Sequence, residues 1–279
     1  MFNHKEQQGF LTIAYNTNGI DYFELAYLQA LSLKRVMPGC KTAVVIDKSV
    51  KNISDKVGQI FDYIIQGPES NWPMEVEPEL FWLTPFKETI KLESDIIITR
   101  DINHWWYALR LRNLVLSYNC RNIEDKIVVD SEHRKFWLDN DLPNVYNGLM
   151  YFRYSQQATE FFLLARQLFQ NYDFLKNHVL KNCREEKPST DVIYSVAAKI
   201  FGIEKCTVPT LDFFNFVHMK PHIQNWPTQT NWNELVMSEI DLPYVRINNL
   251  NQYNPVHYHV KNWPTDTIIN RYEYTSGTN

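Results

Sequence analysis

Short apolar runs alternate with longer helical stretches through the first part of the chain. The run FLTIA is followed by YFELAYLQALSLKR, which is long enough for a buried helix and is ended by Pro38 and Gly39. The β-branched run TAVVID and the run FDYIIQ flank a polar stretch with helical character at 54–60. Strands that alternate with helices predict a parallel sheet covered on both faces, with ligands bound beyond the carboxyl ends of the strands.

The middle of the chain continues this alternation. Thr84 and Pro85 are the residue types expected at a helix N-cap and at the first helical position. We therefore predict that PFKETIKL forms a short helix that leads into the strand ESDIIIT. The stretch NGLMYFRY has strand character, and apolar residues recur at helical spacing at 161–172 and 192–200.

Length and composition indicate one soluble globular domain. The chain has 279 residues, of which 44% are hydrophobic and 22% charged. It lacks an apolar run near the roughly 20 residues that a membrane helix requires. The N-terminal MFNHKEQQGF lacks the layout of a secretory signal, so we expect a cytoplasmic setting. We predict a core at 1–225 and an irregular wrapping segment of the same domain, rich in Pro, Asn, Trp and Tyr, at 226–279.

The charge balance restricts the class of partner. A net charge of -4 and a pI near 6.1 argue against a protein whose whole surface binds nucleic acid. A local basic patch stays open, because the stretch from Arg100 to Arg121 interleaves arginines with aromatic residues in HWWYALRLRN. The alternative is an amphipathic helix with solvated arginines and tryptophans in the core. The four cysteines are scattered and form no Cys-x-x-Cys pair, which indicates reduced packing residues.

Two carboxylates stand where the predicted strand ESDIIIT begins. Residues i and i+2 of an extended segment point the same way, so Glu93 and Asp95 can converge on one cation. Carboxylate oxygens are ligands that suit Mg²⁺ or Mn²⁺. Since exposed carboxylates have no packing role at the start of an isoleucine-rich strand, we predict a metal site here.

A histidine and a lysine follow a second strand-like run, in FFNFVHMKPHIQNW. The imidazole of His218 is a potential metal ligand, and the ammonium of Lys220 could neutralise a diphosphate beside the metal. A rival pair, His257 and His259 in VHYHVKNW, could supply the late metal ligand instead. We favour His218 because it follows a strand-like run.

The order of these motifs resembles the GT-A glycosyltransferases, and the glycogenin and galactosyltransferase-like retaining branch is the nearest. The resemblance runs from about Gly9 to Trp226, through the acidic-x-Asp, YNGLMYF, an Asp at a helix start and His-x-Lys. It implies a single GT-A domain, Rossmann-like, with a mixed and mostly parallel sheet. The chain also resembles small glycosyltransferase-like proteins encoded by tailed phages.

The resemblance also implies roles for individual residues. Metal ligands are expected at Glu93, Asp95 and His218, although the branch usually has Asp at the first of these positions. Asn147 is expected to face the sugar, and Asp191, at a helix start, to lie near the sugar hydroxyls; these two are the catalytic candidates. Donor-binding residues are expected at Tyr15, Asp47, Lys87, Ser94 and Lys220.

The expected function is transfer of a sugar from a nucleotide-diphosphate donor, foremost a UDP-sugar, to an acceptor hydroxyl with help from Mn²⁺ or Mg²⁺. Retention at the anomeric carbon is implied by the branch, and the acceptor is either a modified pyrimidine in phage DNA or a glycan. A nucleotidyltransferase is an alternative, but the glycine-rich basic signature usual after its first strand is absent from AYNTNGIDY. A non-catalytic nucleic-acid or carbohydrate-binding module would explain HWWYALRLRN without a metal.

Overall fold

A computed structural model describes residues 6–54, 58–128, 131–208, 213–219, 238–241, 244–258 and 261. Its strands are β1 (Glu6–Ala14), β2 (Thr42–Ile46), β3 (Tyr63–Gln66), β4 (Phe86–Leu92), β5 (Ile96–Ile97), β6 (Leu114–Tyr118), β7 (Val145–Arg153), β8 (Val217–His218), β9 (Ser238–Asp241), β10 (Tyr244–Ile247), β11 (Leu250–Asn251) and β12 (Val256–His257). Its α-helices are α1 (Tyr22–Val36), α2 (Leu80–Leu83), α3 (Trp105–Leu109), α4 (Ser131–Asp139), α5 (Gln156–Gln170), α6 (Tyr172–Phe174), α7 (Thr190–Phe201) and α8 (Ile203–Cys206). A 3-10 helix, Pro73–Glu79, precedes α2, and a π-helical turn, Leu175–Val179, follows α6.

Six strands form the central sheet, in the order β3-β2-β1-β4-β7-β6. Strands β3, β2, β1 and β4 run parallel, whereas β7 is antiparallel to both β4 and β6. The carboxyl ends of the parallel strands therefore meet at one edge. A small sheet in the order β5-β12-β8 lies at this edge, because β5 follows β4 after three residues.

Local sequence explains the first helix and the strand after it. The Asp21 carboxylate accepts hydrogen bonds from the backbone N–H groups of Phe23 and Glu24, which satisfies two free donors at the start of α1. Every residue of β2 is buried, as expected for an apolar strand inside a parallel sheet with both faces covered. The prediction of strand, helix and strand at the start of the chain is confirmed.

The prediction that PFKETIKL forms a helix is wrong, because this segment forms the central strand β4. The helix precedes it, since α2 ends at Leu83 with Thr84 as its C-cap, and the strand begins at Phe86. A residue before proline is biased towards extended backbone, so Thr84-Pro85 ends a helix here and does not begin one. The Thr84 hydroxyl lies 2.8 Å from the Thr89 hydroxyl and does not cap a helix. Six of the seven residues of β4 are buried, and β1 and β7 pair with its two edges.

Three further expectations need correction. The strand predicted in ESDIIIT has only two residues in a ladder, Ile96 and Ile97. Ile200, predicted on the apolar face of its helix, is 61% exposed. The wrapping segment, expected to be irregular, contains the short strands β9 to β12 within its described part.

Candidate active site

Two carboxylates and an imidazole converge at the carboxyl end of β4. Nε2 of His257 lies 3.0 Å from Oε2 of Glu93 and 3.2 Å from Oδ2 of Asp95. One ligand atom from each of the three side chains lies within 4.8 Å of the others. The predicted convergence of Glu93 and Asp95 is present, with the imidazole supplied from β12.

Hydrogen bonds to the backbone hold the acidic turn, Glu93-Ser94-Asp95, in place. The N–H of Glu93 donates to the carbonyl of Gly148 on β7 at 3.0 Å, and the N–H of Tyr258 donates to the carbonyl of Asp95 at 3.1 Å. The Gln29 amide on α1 donates to the Glu93 carbonyl. A Cβ at Gly148 would lie 3.2 Å from Cζ of Phe216 and 3.4 Å from Oε2 of Glu93, so a side chain here would crowd the Phe216 ring first.

Strand pairing decides which histidine joins the carboxylates. His257 pairs with Ile96 of β5, which directly follows the acidic turn, and this register brings its ring to the carboxylates. His218 lies on the neighbouring strand β8, in register with His257, with 5.6 Å between the ring centroids. His218 is buried and lines the same cavity, but the cluster is formed with His257, against our preference. The rival residue His259 lies outside the described residues.

A lysine that the sequence analysis did not single out completes the charge balance. The ammonium of Lys261 contacts Oδ2 of Asp95 and lies 5.6 Å from the centroid of the Tyr22 ring. It belongs to the VHYHVKNW stretch, four residues after His257, which is the signal that could have found it. Lys220, the expected diphosphate ligand, lies outside the described residues.

Burial and neighbouring charges shift the pKa values of this cluster in opposite directions. Burial acts to raise the pKa of Glu93 and of Asp95, but the imidazolium of His257, joined at Asp95 by Lys261, holds both pKa values below their usual range. Burial acts to lower the pKa of His257, and the two carboxylates outweigh it and raise this pKa to about 9. Both carboxylates are therefore ionised at neutral pH.

The chemistry of this donor set fits a divalent cation. Two ionised carboxylates and an imidazole are ligands of Mn²⁺, and of Mg²⁺ through the carboxylates. The proton on His257 competes with such a cation, because an imidazole must be neutral to ligate a metal.

The cluster lines a cavity of about 520 Å³. Aromatic side chains form much of its wall, namely Tyr15, Tyr22, Trp72, Trp137, Tyr146 and Phe216. Charged side chains outside the cluster also line it, namely Glu77, Arg134, Glu185, Asp191 and Lys261. A cavity of this size with a few convergent polar groups is typical of a small-molecule site.

Asp191 and Asn147 are joined by a hydrogen bond. The backbone N–H of Asn147 donates to Oδ1 of Asp191 at 2.8 Å, and Asp191 lies in the first turn of α7, where the helix dipole favours a carboxylate. The carbonyl of Asn147 accepts from the ammonium of Lys91 at 3.1 Å, and this ammonium lies 2.8 Å from the Glu77 carboxylate. Asp191 lines the cavity, and Asn147 is the buried residue behind it.

The remaining predicted donor residues divide into two groups. Tyr15 and Ser94 line the cavity, and the Tyr15 hydroxyl donates to the Pro68 carbonyl at 2.8 Å. Asp47 follows β2 and its carboxylate accepts from the Ser49 N–H at 3.0 Å, away from the cavity wall. Lys87 is exposed at the start of β4, at the opposite end of this strand from the acidic turn, so the fold does not bring it to the cluster.

Arg110 of the basic aromatic stretch also lies at that opposite end. Trp105 and Trp106 are in the hydrophobic core, 0% and 2% exposed. The Arg110 guanidinium donates to Glu88 of β4 at 2.7 Å and to Gln8 of β1 at 2.6 Å, both near the starts of their strands. The tryptophans are core residues and this arginine is engaged within the fold.

No protein-family model matches the sequence, and no curated protein matches it. Solved structures do resemble the fold. A structure of the galactosyltransferase LgtC in complex with donor and acceptor sugar analogues superposes with a TM-score of 0.53 at 11% identity, covering 97% of this chain and 95% of that one. An active-site mutant of LgtC gives a TM-score of 0.51 at 12% identity over the same shares. The bifunctional glycosyltransferase WbbM gives 0.47 at 11% identity, and there the match covers 77% of this chain but only 40% of that one.

The helices of the described part include none that is long and apolar enough to cross a membrane. The structural neighbours, the mostly parallel six-stranded sheet and the helices around it agree with the predicted architecture. The chain therefore has the GT-A fold of the glycosyltransferases.

Proposed function

We propose that this protein is a metal-dependent glycosyltransferase that uses a nucleotide-diphosphate sugar as donor. The observation that carries the proposal is the convergence of Glu93, Asp95 and His257 at the carboxyl edge of a GT-A sheet. Ligands of open α/β sheets bind at this edge, so the cluster lies where a nucleotide would bind.

Glu93, Asp95 and His257 would hold the cation, which when bound supplies positive charge to the leaving diphosphate. Lys261 provides a second positive charge beside the cluster, on the cavity wall. Its ammonium can donate to diphosphate oxygens, in the role that the sequence analysis gave to Lys220.

The cavity wall provides groups for the rest of the donor. Tyr15 presents an aromatic side chain at the end of β1, which suits stacking on a uracil-type base. Asp191 presents a carboxylate that can accept hydrogen bonds from sugar hydroxyls. The Asn147 N–H orients that carboxylate from behind.

A glycan is the acceptor that the arrangement favours over a DNA base. Arg110, which would have contacted DNA, lies at the other end of the sheet, and Trp105 and Trp106 are in the core. Two tryptophans line the cavity instead, each held by its indole N–H: Trp72 donates to the Pro188 carbonyl and Trp137 to the Ser195 hydroxyl, both at 2.8 Å. Aromatic faces of this kind suit the apolar face of a sugar ring.

Calorimetry with UDP-sugars and other nucleotide sugars, with and without Mn²⁺, tests the donor assignment. We expect binding that depends on Mn²⁺, and a donor at about 100 times its Kd should stabilise the fold by roughly 2.7 kcal/mol. Binding of none of these donors in the presence of Mn²⁺ would contradict the proposal. A binding module would instead take up a glycan without a metal.

Product analysis separates the remaining alternatives. With a mixed oligosaccharide acceptor panel, we expect release of nucleoside diphosphate and a product heavier by one sugar. Release of pyrophosphate from a nucleoside triphosphate and a sugar phosphate would instead indicate a nucleotidyltransferase. Sugar transfer to duplex DNA with hydroxymethylated pyrimidine, and none to any glycan, would replace the glycan by DNA as acceptor.

A further inference from the structure

The side chain of Arg134 lies at the wall of the cavity, buried against two aromatic rings. Its guanidinium lies 4.0 Å from the centroid of the Trp137 ring and 3.4 Å from that of the Tyr146 ring. Only 4% of the side chain is exposed. The guanidinium therefore packs against both rings.

Most of the hydrogen-bonding capacity of this guanidinium is unused. Nε and Nη1 of Arg134 are buried and have no hydrogen-bond partner among the described residues. Nη2 lies 3.5 Å from Oδ2 of Asp191. Buried polar groups are almost always satisfied, and exceptions of this kind concentrate at functional sites. A buried cation with so few partners therefore needs a functional explanation, and the group that it faces is the Asp191 carboxylate.

The Asp191 carboxylate is held from two directions. Its Oδ1 accepts from the Asn147 N–H on β7, and its Oδ2 faces the Arg134 guanidinium on α4. A third of its side chain stays exposed, at 33%, and the residue lines the cavity. Arg134 interrupts α4 with non-helical backbone angles, φ -112° and ψ 17°, at the residue from which the guanidinium extends.

We propose that Arg134 is a positioning residue that fixes the Asp191 carboxylate towards the sugar in the cavity. The inference rests on the proposed glycosyltransferase function, and adds to it a residue that need not contact the substrate itself. The guanidinium acts through its charge and its fixed plane, because the rings of Trp137 and Tyr146 prevent it from turning away from Oδ2. Loss of the guanidinium leaves the Asn147 N–H as the remaining described hydrogen-bond donor to Asp191 and frees the carboxylate to rotate about that bond.

The chain offers a matched control in Arg166. Its guanidinium lies 4.1 Å from the centroid of the Trp82 ring, and Nη2 lies 2.6 Å from the Glu79 carboxylate. Both arginines thus lie over a tryptophan ring and face a carboxylate, although the side chain of Arg166 is 33% exposed and lies over one ring only. Neither Arg166 nor its partners line the cavity. The Arg166→Met variant therefore measures how much kcat changes when an arginine is removed from a tryptophan ring away from the site.

The test compares Arg134→Met, Arg134→Lys and Arg166→Met in the full-length chain. For Arg134→Met we expect kcat to fall about 100-fold, the size that a misplaced reacting group costs, while the KM for the donor changes less than about twofold. Arg134→Lys should also lose kcat, since an ammonium cannot reproduce a stacked planar fork. Calorimetric affinities for Mn²⁺ and for a nucleoside diphosphate without sugar should stay at the wild-type value in both Arg134 variants, and Arg166→Met should keep the wild-type kcat.

Chemical rescue provides the readout that a purely structural role would not move. In Arg134→Ala, added ethylguanidinium should restore part of kcat by occupying the space between the two rings, and ethylammonium at equal concentration should not. If Arg134→Met does not fold, Arg134→Lys provides the same kcat comparison. Wild-type kcat in the folded Arg134 variants, or an equal loss in Arg166→Met, would overturn the inference. A wild-type protein that binds no nucleotide sugar with Mn²⁺ would instead contradict the proposed function.

Discussion

Nε2 of His257 lies 3.0 Å from Oε2 of Glu93, although the two residues belong to segments that are far apart in the sequence. Glu93 begins the turn that leaves the central sheet, and His257 lies on a two-residue strand of a second sheet. The contact shows that the C-terminal part of the chain supplies a side chain to the site.

The first prediction follows from this contact. His257→Ala should weaken Mn²⁺ affinity at least tenfold, about 1.4 kcal/mol, because it removes one of three converging ligands. His218→Ala is the matched control, a buried histidine on the neighbouring strand, and should have the smaller effect. Calorimetric titration with Mn²⁺ measures both, and a larger loss from His218→Ala would return the ligand role to that residue.

Asp95→Asn should abolish sugar transfer and also lower stability. We expected an exposed ligand at this position, but Asp95 is 4% exposed and contacts both His257 and Lys261. Loss of a charged, buried hydrogen-bond partner should cost about 1 to 3 kcal/mol of unfolding free energy in the absence of metal. Urea denaturation measures this cost, and a stability equal to wild type would show that the contacts of Asp95 contribute nothing to folding.

Lys261→Met should weaken binding of a nucleoside diphosphate at least tenfold, about 1.4 kcal/mol, because it removes positive charge beside the metal cluster. Affinity for the nucleoside without phosphates should not change. Lys199→Met removes a lysine that is paired with Asp141 on the surface and serves as the control. Equal effects on the nucleoside and on its diphosphate would exclude a phosphate role for Lys261.

Lys91→Met should destabilise the fold by about 3 to 5 kcal/mol, because it leaves the buried carboxylate of Glu77 without its partner. The Lys91 ammonium is 0% exposed, and burial raises the pKa of Glu77 against the opposing effect of this ammonium. A second change, Glu77→Gln, should recover part of the loss. Chemical denaturation of the two single variants and the double variant gives the coupling energy, and strict additivity would rule out the pair.

Asp62 gives a pH-dependent prediction away from the site. Burial acts to raise its pKa, but Lys34 at 2.8 Å and Lys41 at 2.9 Å outweigh it and lower the pKa to about 2. A carboxyl whose pKa is lowered in the folded state stabilises the fold at pH values above its unfolded pKa, which is near 3.8. This contribution to stability is lost as pH falls from about 4 to 2. Asp62→Asn should therefore cost about 1 kcal/mol at pH 7 after solvent screening, and the difference from wild type should shrink below pH 4. A difference that stays constant down to pH 2 would contradict the assignment.

The sequence by itself determined the elements whose local pattern was unambiguous. The runs at β1, β2 and β3 and the long helix α1 follow from apolar periodicity and turn residues. The convergence of Glu93 and Asp95 was predicted from their spacing in extended chain. The two residues lie instead in the turn between β4 and β5, and this turn brings their carboxylates together.

Only the tertiary structure decided which elements joined that pair. PFKETIKL became the central strand because β1 and β7 pair with its two edges, a non-local effect that the interpretation of Thr84-Pro85 as a helix start does not take into account. His257 joined the cluster in place of His218 because β12 inserts between β5 and β8, and strand order in a sheet is set by long-range pairing. Lys261 and Arg134 likewise reach the site from segments distant in sequence, and their contacts depend on packing that no local periodicity encodes.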